Sequence, residues 1–319
     1  MKIVILGAGA LGTVLGAHLA RVGEDVTLIA RGNRAAYLQE HGATLTGLVD
    51  FTVPVTVVTD SQQVQDADVL IVTVKTYDMD AALASVQHLR VESVLSIQNG
   101  VLKNEQLAQT FGWKKVIGAM AWFSAEVLST GAVRFTVQEG CYLGALPEGI
   151  SPGVQTLGEQ LSRAGIMVKV TPVIQSFEWS KYVVFTCLMV PAVLSRLATY
   201  QFLQDEQTAS ITASVLHEMA HIARGLGIPL EDMELFPTKH LSGLAHEDTM
   251  TALRQIGGQF ASRAPTHKVS TLQDAEQGKR LEVEETLGYA VRKGVELGIP
   301  TPTMAVCYKL MAAINHYLQ

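Results

Sequence analysis

An α/β fold is predicted for the N-terminal half of this chain and an all-helical fold for the rest, on three observations. Short apolar runs alternate with helical patterns over the first 145 residues, a glycine-rich turn follows the first of those runs, and strand-like runs vanish beyond about residue 175. Continuous apolar strands separated by helices belong to a parallel sheet buried on both faces, because each crossover helix covers one of them. The first domain is therefore read as a doubly wound parallel sheet. At 319 residues the chain has the length of about two domains.

Residues 2–6 (KIVIL) form the first strand and run into Gly7, and residues 10–22 carry helical periodicity. Residues 25–30 (DVTLIA), 68–74 (DVLIVTV) and 93–97 (SVLSI) are the next strands, residues 130–145 read as a hairpin region closing the domain, and 167–170 is the last strand. Helical patterns then dominate, with punctuation at Pro191, 225–229, Pro237, Pro265 and 298–302. The boundary falls near residues 170–176, which gives domains 1–172 and 173–319. Residues 182–194 are strongly apolar, but 13 residues is short of the roughly 20 that a bilayer needs, so a buried core helix starting just after Lys181 is expected.

The composition removes several functional classes. With 48% hydrophobic and 17% charged residues the chain can bury a large core, which excludes disorder. Lys and Arg number 24 against 30 Asp and Glu, a formal charge of −6, so there is no basic surplus for nucleic acid. The three cysteines, Cys141, Cys187 and Cys307, are far apart, which argues against a disulfide framework or thiolate zinc site and fits a reducing cytoplasm. Glycines at positions 7, 9, 12 and 16 break the N-terminal apolar run, so it is not read as a secretory leader. A soluble, cytoplasmic protein with no membrane partner is expected, and its apolar helices would serve a core or a homodimer interface equally well.

The sequence Gly7-Ala8-Gly9-Ala10-Leu11-Gly12 follows a strand and opens a helix. The first glycine permits the tight turn, the second lets backbone approach a pyrophosphate, and the third packs helix against strand. This is a Rossmann-type dinucleotide fingerprint. An NAD site usually ends its second strand in Asp or Glu, to bond the ribose 2′-hydroxyl. Here that strand ends Ile29-Ala30-Arg31, followed by Gly32-Asn33-Arg34, with no carboxylate. Arg31, helped by Asn33 and Arg34, would clamp a 2′-phosphate, so NADP (NADPH) is the predicted cofactor. Lys75 and Asn99 sit just past later strands, where open α/β sheets place ligands. Taken alone, either would more often be an ordinary surface lysine or turn asparagine.

These residues, taken with others further on, resemble the ketopantoate reductases (2-dehydropantoate 2-reductases). GAGALG, Arg31, VTVK ending at Lys75, QNG at Asn99-Gly100, EWSK ending at Lys181, STLQD with a later Glu282, and GIPTP recur there in this order and at these spacings. The resemblance extends from residue 1 to about 310. It implies NADPH-dependent reduction of the keto group of ketopantoate to pantoate, on the route to pantothenate and coenzyme A. It also implies a Rossmann domain joined to a helical domain, with the active site in the cleft between them. Lys181 matches the family's general acid and contacts substrate, Glu282 is its cleft glutamate on the cofactor side, and Ser270 and Gln273 lie in its substrate-binding segment. Lys75, Asn99 and Ser124 match positions near the nicotinamide end, with Asn99 also facing the small 2-oxo-acid substrate.

Elementary chemistry agrees with these roles. Hydride arriving at a ketone carbon leaves charge on oxygen, which needs a proton or a cation, and Lys181 would supply either. Ser270 opens a helical pattern as an N-cap candidate, and Gly278 interrupts that pattern before Glu282. The sequence departs from the family where asparagines usually stand four, eight and eighteen residues after the lysine: here those positions are Phe185, Met189 and Thr199. An apolar wall discriminates less sharply than one built for a hydroxyl. Two alternatives therefore stand beside ketopantoate: a bulkier, more apolar 2-oxo acid, or a non-catalytic NADP-binding sensor. His217-Glu218-Met219-Ala220-His221 matches the HExxH zinc pattern, but no third ligand follows at the usual spacing, so no metal is expected.

Overall fold

The computed structural model describes residues 1–233 and 236–318. They form two compact units, one of Met1–Gln98 with Lys103–Gln175 and one of Asn99–Leu102 with Ser176–Gln319. The strands are β1 (Lys2–Leu6), β2 (Asp25–Ile29), β3 (Ala43–Gly47), β4 (Phe51–Val53), β5 (Thr56–Val58), β6 (Asp66–Val72), β7 (Arg90–Ser96), β8 (Ile117–Val127), β9 (Val133–Ala145) and β10 (Val168–Val170). The helices of the first unit are α1 (Ala10–Arg21), α2 (Gly32–His41), α3 (Met79–Val86), α4 (Leu102–Phe111) and α5 (Pro152–Arg163).

One sheet has the order β5-β2-β1-β6-β7 with every pair parallel, the doubly wound sheet expected. Alternation along β1 shows why both faces are apolar. Ile3 and Ile5 join a core shared with α1 and α5, while Val4 and Leu6 join a second core with Met79, Leu83 and Val86 of α3 and Leu107 of α4. The strand order reverses beside β1, so the loops after β1 and β6 lie side by side at the switch point where such sheets bind ligands. A second, mixed sheet runs β10-β9-β3-β4, with β8 antiparallel to β9, and α1 packs against strands of both sheets. Residues 130–145 are thus not a whole hairpin. They are mostly its second arm, and the first arm, β8, begins at Ile117. Alternation in β8 fades among residues that bulge at Trp122/Phe123 and Ser124/Ala125, which hides the strand from a period-2 reading.

The second unit holds α6 (Ile174–Ser195, whose first two residues belong to the first unit), α7 (Thr199–Gln204), α8 (Glu206–Gly225), α9 (Thr238–Gly243), α10 (His246–Arg263), α11 (Ser270–Glu276), α12 (Tyr289–Glu296) and α13 (Pro302–Tyr317). A π-helical turn over Glu284–Gly288 leads directly into α12. Helix α8 packs on α7, α10, α12 and α13, burying Thr212, Val215, Leu216, Met219 and Ile222. The expected helix start after Lys181 is corrected: α6 begins seven residues before Lys181 and carries it in its interior. Ser176 and Ser180 explain the difference. The Ser180 hydroxyl donates to the Ser176 carbonyl at 2.7 Å and accepts the Glu231 backbone N–H at 2.7 Å, so polar residues that read as loop are buried in a helix. Pro191 lies within α6 and does not end it. At 22 residues α6 is long and apolar enough to cross a membrane, but 78% of its most apolar window is buried inside the protein.

Candidate active site

The glycine loop is built as its residue types require. Gly7 has φ +102°, which a side chain would strain, and a Cβ there would lie 2.9 Å from Val74 Cγ1. A Cβ on Gly12 would fall 2.0 Å from the Gly7 carbonyl oxygen and 2.5 Å from Thr73 Oγ1, so any side chain would break the contact between α1 and the loop after β6. Gly9 behaves differently: a Cβ there meets nothing within 4 Å. It is the N-cap of α1, which among the described residues has no side-chain cap and no acid in its first turn. Open space at Gly9 thus adjoins the positive N-terminal end of α1, the arrangement that a pyrophosphate fits.

Arg31 sits at the end of β2 as the N-cap of α2, exposed like Asn33. Arg34 does not join them. Its Nε donates to the Ala8 carbonyl at 2.8 Å, one terminal nitrogen donates to Thr13 Oγ1 at 2.8 Å, and the other to the Gly131 carbonyl. Burial lowers its pKa. Lys75 is exposed just past β6, at the start of a short 3₁₀ turn. Ser124 is exposed on β8, where its carbonyl accepts the Thr136 hydroxyl at 3.2 Å.

In the second unit Lys181 is half-buried on α6, and Glu282 is buried at 8% exposure after the α11 break. Gly278, with φ +66°, closes that break through Lys279 N–H donating to the Asp274 carbonyl at 2.9 Å. Asn315 then fixes the approach to Glu282 by accepting the Leu281 N–H at 2.7 Å. Tyr182, beside Lys181, donates its hydroxyl to the Thr286 carbonyl at 2.7 Å, and the Thr286 hydroxyl reaches Met189 Sδ at 3.9 Å and the Glu282 carbonyl. Burial raises the Tyr182 pKa, so the phenol stays a donor. These contacts dock α6 on the segment carrying Glu282. Asn99–Leu102 belongs to the same unit, and a Cβ on Gly100 would lie 3.6 Å from Thr286 Cγ2 and 3.9 Å from Tyr182 Cε2. Asn99, Lys181 and Glu282 are therefore carried by three segments that meet at Tyr182 and Thr286.

The substrate-segment residues are placed less centrally. Ser270 is exposed as the first residue of α11, and the cap position belongs to Val269, so Ser270 is not the N-cap expected of it. The backbone enters the helix one residue earlier than the Ser/Thr preference suggests. Gln273 is exposed, and its amide donates to the Lys268 carbonyl at 2.7 Å. Phe185, one turn beyond Lys181, is half-buried, whereas Met189 is fully buried against Thr286. Thr199 is fully buried, and its hydroxyl pairs with His267 Nδ1 at 2.8 Å.

Glu218, the glutamate of the HExxH run, accepts the Thr303 and Met304 N–H groups at 2.9 and 2.8 Å and so caps α13. His217 meets Thr249 Oγ1 at 3.1 Å and His221 is exposed. Sequence reasoning missed Thr73, Tyr182, Thr286 and Asn315, whose roles come from contacts distant in sequence. Thr73 alone left a signal, as a hydroxyl at the end of the strand beside the glycine loop.

Comparison with known proteins gives the family. The family model for ketopantoate reductase PanE/ApbA matches residues 3–148, and that for the ketopantoate reductase PanE/ApbA C terminus matches residues 173–315. A 2-dehydropantoate 2-reductase from Pyrococcus horikoshii is 28% identical over 316 residues, covering 98% of this chain and 97% of that protein. The crystal structure of a PanE/ApbA family ketopantoate reductase from Ralstonia eutropha superposes with a TM-score of 0.85 at 27% identity, covering 100% of both chains. D-mandelate dehydrogenase in a ternary structure with NADH and anilino(oxo)acetate also has a TM-score of 0.85, at 20% identity and with coverage of 100% and 99%.

Proposed function

The chain belongs to the ketopantoate reductase PanE/ApbA family of oxidoreductases, and we propose that it reduces the keto group of 2-dehydropantoate (ketopantoate) with NADPH. The observation that supports this reading is that the segments carrying Asn99, Lys181 and Glu282 meet at the Tyr182–Thr286 contact, in a chain whose other unit carries a glycine loop. A reduced nicotinamide supplies the hydride when bound. Lys181 delivers a proton to the carbonyl oxygen as C2 becomes tetrahedral, so the products are a 2-hydroxy acid and the oxidised cofactor. Asn99 donates its amide N–H to the same oxygen. Glu282, carried on the segment docked against α6, is assigned to the cofactor side of the site. The loop N–H groups and the helix end of α1 hold the pyrophosphate.

Arg31 supports NADPH over NADH, because it stands exposed where an NAD site would place a carboxylate. A homodimer is supported by Val306, Leu310 and Tyr317, exposed along one face of α13, and a cytoplasmic setting by three buried free cysteines.

Phe185 favours a second reading, reduction of a bulkier and more apolar 2-oxo acid. It puts a half-buried aromatic ring one turn from Lys181, and D-mandelate dehydrogenase, of the same fold, was solved with an aromatic oxo acid. Steady-state kcat/KM for ketopantoate beside phenylglyoxylate and branched 2-oxo acids separates the two. Ketopantoate is expected to lead the series. A lead of about tenfold or more for phenylglyoxylate would transfer the assignment to the bulkier substrate.

A further inference from the structure

The nearest candidates for an additional phosphate contact are Asn33 and Arg34, but Arg34 is spent elsewhere. We infer that Arg34 is a positioning residue for the cofactor's pyrophosphate: it locks the Ala8–Gly9 peptide so that the Gly9 N–H points outward, and takes no part in recognising the 2′-phosphate. The inference rests on the reading of Gly7 to Gly12 as a dinucleotide loop.

Three hydrogen bonds form the brace. The Ala8 carbonyl accepts Arg34 Nε at 2.8 Å and the Thr13 hydroxyl at 3.1 Å, and Thr13 Oγ1 in turn accepts an Arg34 terminal nitrogen at 2.8 Å. A trans peptide sets its N–H opposite its C=O. Two donors holding the Ala8 oxygen inward therefore hold the Gly9 N–H outward, and a Cβ added on Gly9 itself would meet nothing within 4 Å. The preceding peptide is fixed in the same sense, since Thr73 Oγ1 donates to the Gly7 carbonyl at 2.6 Å and leaves the Ala8 N–H on the opposite side. Arg34 is itself anchored. Its remaining terminal nitrogen donates to Gly131 in the β8–β9 turn, its guanidinium lies 5.5 Å from the Tyr37 ring centre, and a Cβ on Gly131 would fall 2.3 Å from that ring. A planar fork with several donors satisfies this set of acceptors, and a single ammonium does not.

A brace and a phosphate ligand behave differently toward two cofactors that differ only in the 2′-phosphate. Arg34→Met is expected to raise the Kd of NADPH and of NADH alike, by about tenfold, measured by direct titration of the apo protein. The NADPH:NADH ratio should stay as in the parent. Arg31→Ala should instead weaken NADPH selectively. In turnover, Arg34→Met should raise KM for NADPH and leave kcat at saturating cofactor within about twofold, and Arg34→Lys should recover part of the loss. Should Arg34→Met fail to fold by its apo melting curve, Thr13→Val removes the same bridge and is expected to give the same equal loss. A selective loss of NADPH in either variant, or unchanged affinity for both cofactors, overturns the inference. A parent protein that binds neither cofactor overturns the dinucleotide reading itself, and is recognised as such before any variant is made.

Discussion

Phe185 stands four residues after Lys181 on the same face of α6, where the family usually places an asparagine, and it is half-buried rather than locked in a core. Met189, one turn further, is already committed to Thr286, and Thr199 to His267. The three departures are therefore not equivalent. Under the proposed function Phe185 is the one that would shape the substrate wall, whereas the other two pack their own unit. Phe185→Asn is expected to raise kcat/KM for ketopantoate relative to phenylglyoxylate by about tenfold, read from the two specificity constants. An unchanged ratio would remove Phe185 from the specificity argument. At the cofactor end, Arg31→Ala should raise KM for NADPH by about tenfold or more and leave KM for NADH near the parent value, since the contact proposed for Arg31 is a charge-assisted bond to the 2′-phosphate.

Glu218 caps α13 with both carboxylate oxygens, so an HExxH match on α8 is a structural joint between two helices. Glu218→Ala is expected to lower stability by about 2 kcal/mol in urea unfolding, because it strips the cap from two first-turn N–H groups at a largely buried site. Turnover per folded molecule should be little changed; a loss of activity restored by added zinc would contradict this account. Gly12→Ala should abolish cofactor binding, since its Cβ would sit 2.0 Å from the Gly7 oxygen. The glycine loop was legible in the sequence because its constraints are local: strand, turn and helix start lie within a dozen residues. Strands β3, β4 and β5 were not legible, being three to five residues long, and they are held by partners the sequence does not announce. Arg34 was read as a phosphate helper for the same reason. Its fixing partner in the β8–β9 turn is 97 residues away. Lys181 was identified from its motif, but its setting inside α6 depends on Ser180 meeting Glu231, 51 residues on.

Over the whole molecule, the parallel sheet and the helical second unit follow from patterns repeated along the chain, which is why they could be read before the details. Burial of titratable groups is a tertiary property and sets the pH response. His18 lies between Phe51 and Phe135 with Nδ1 2.8 Å from the Ala164 carbonyl, and burial lowers its pKa below 6.5. His217 and His267 are lowered by burial as well. Each is held neutral in the fold, so the unfolded chain binds more protons. The stabilisation is fully present above about pH 6.5 and is lost as pH falls through the lowered folded values. The urea midpoint should therefore drop between about pH 7.5 and pH 5.5, and His18→Gln should reduce that drop. A midpoint unchanged over this range would contradict the burial argument. The central claim, that this chain reduces a 2-oxo acid with Lys181 as proton donor, is tested most directly by single-turnover oxidation of bound NADPH on mixing with ketopantoate, in the parent and in Lys181→Met. Rapid oxidation is expected in the parent, and a rate about 10²- to 10⁴-fold lower in the variant at equal NADPH affinity. Equal rates in the two proteins would contradict it.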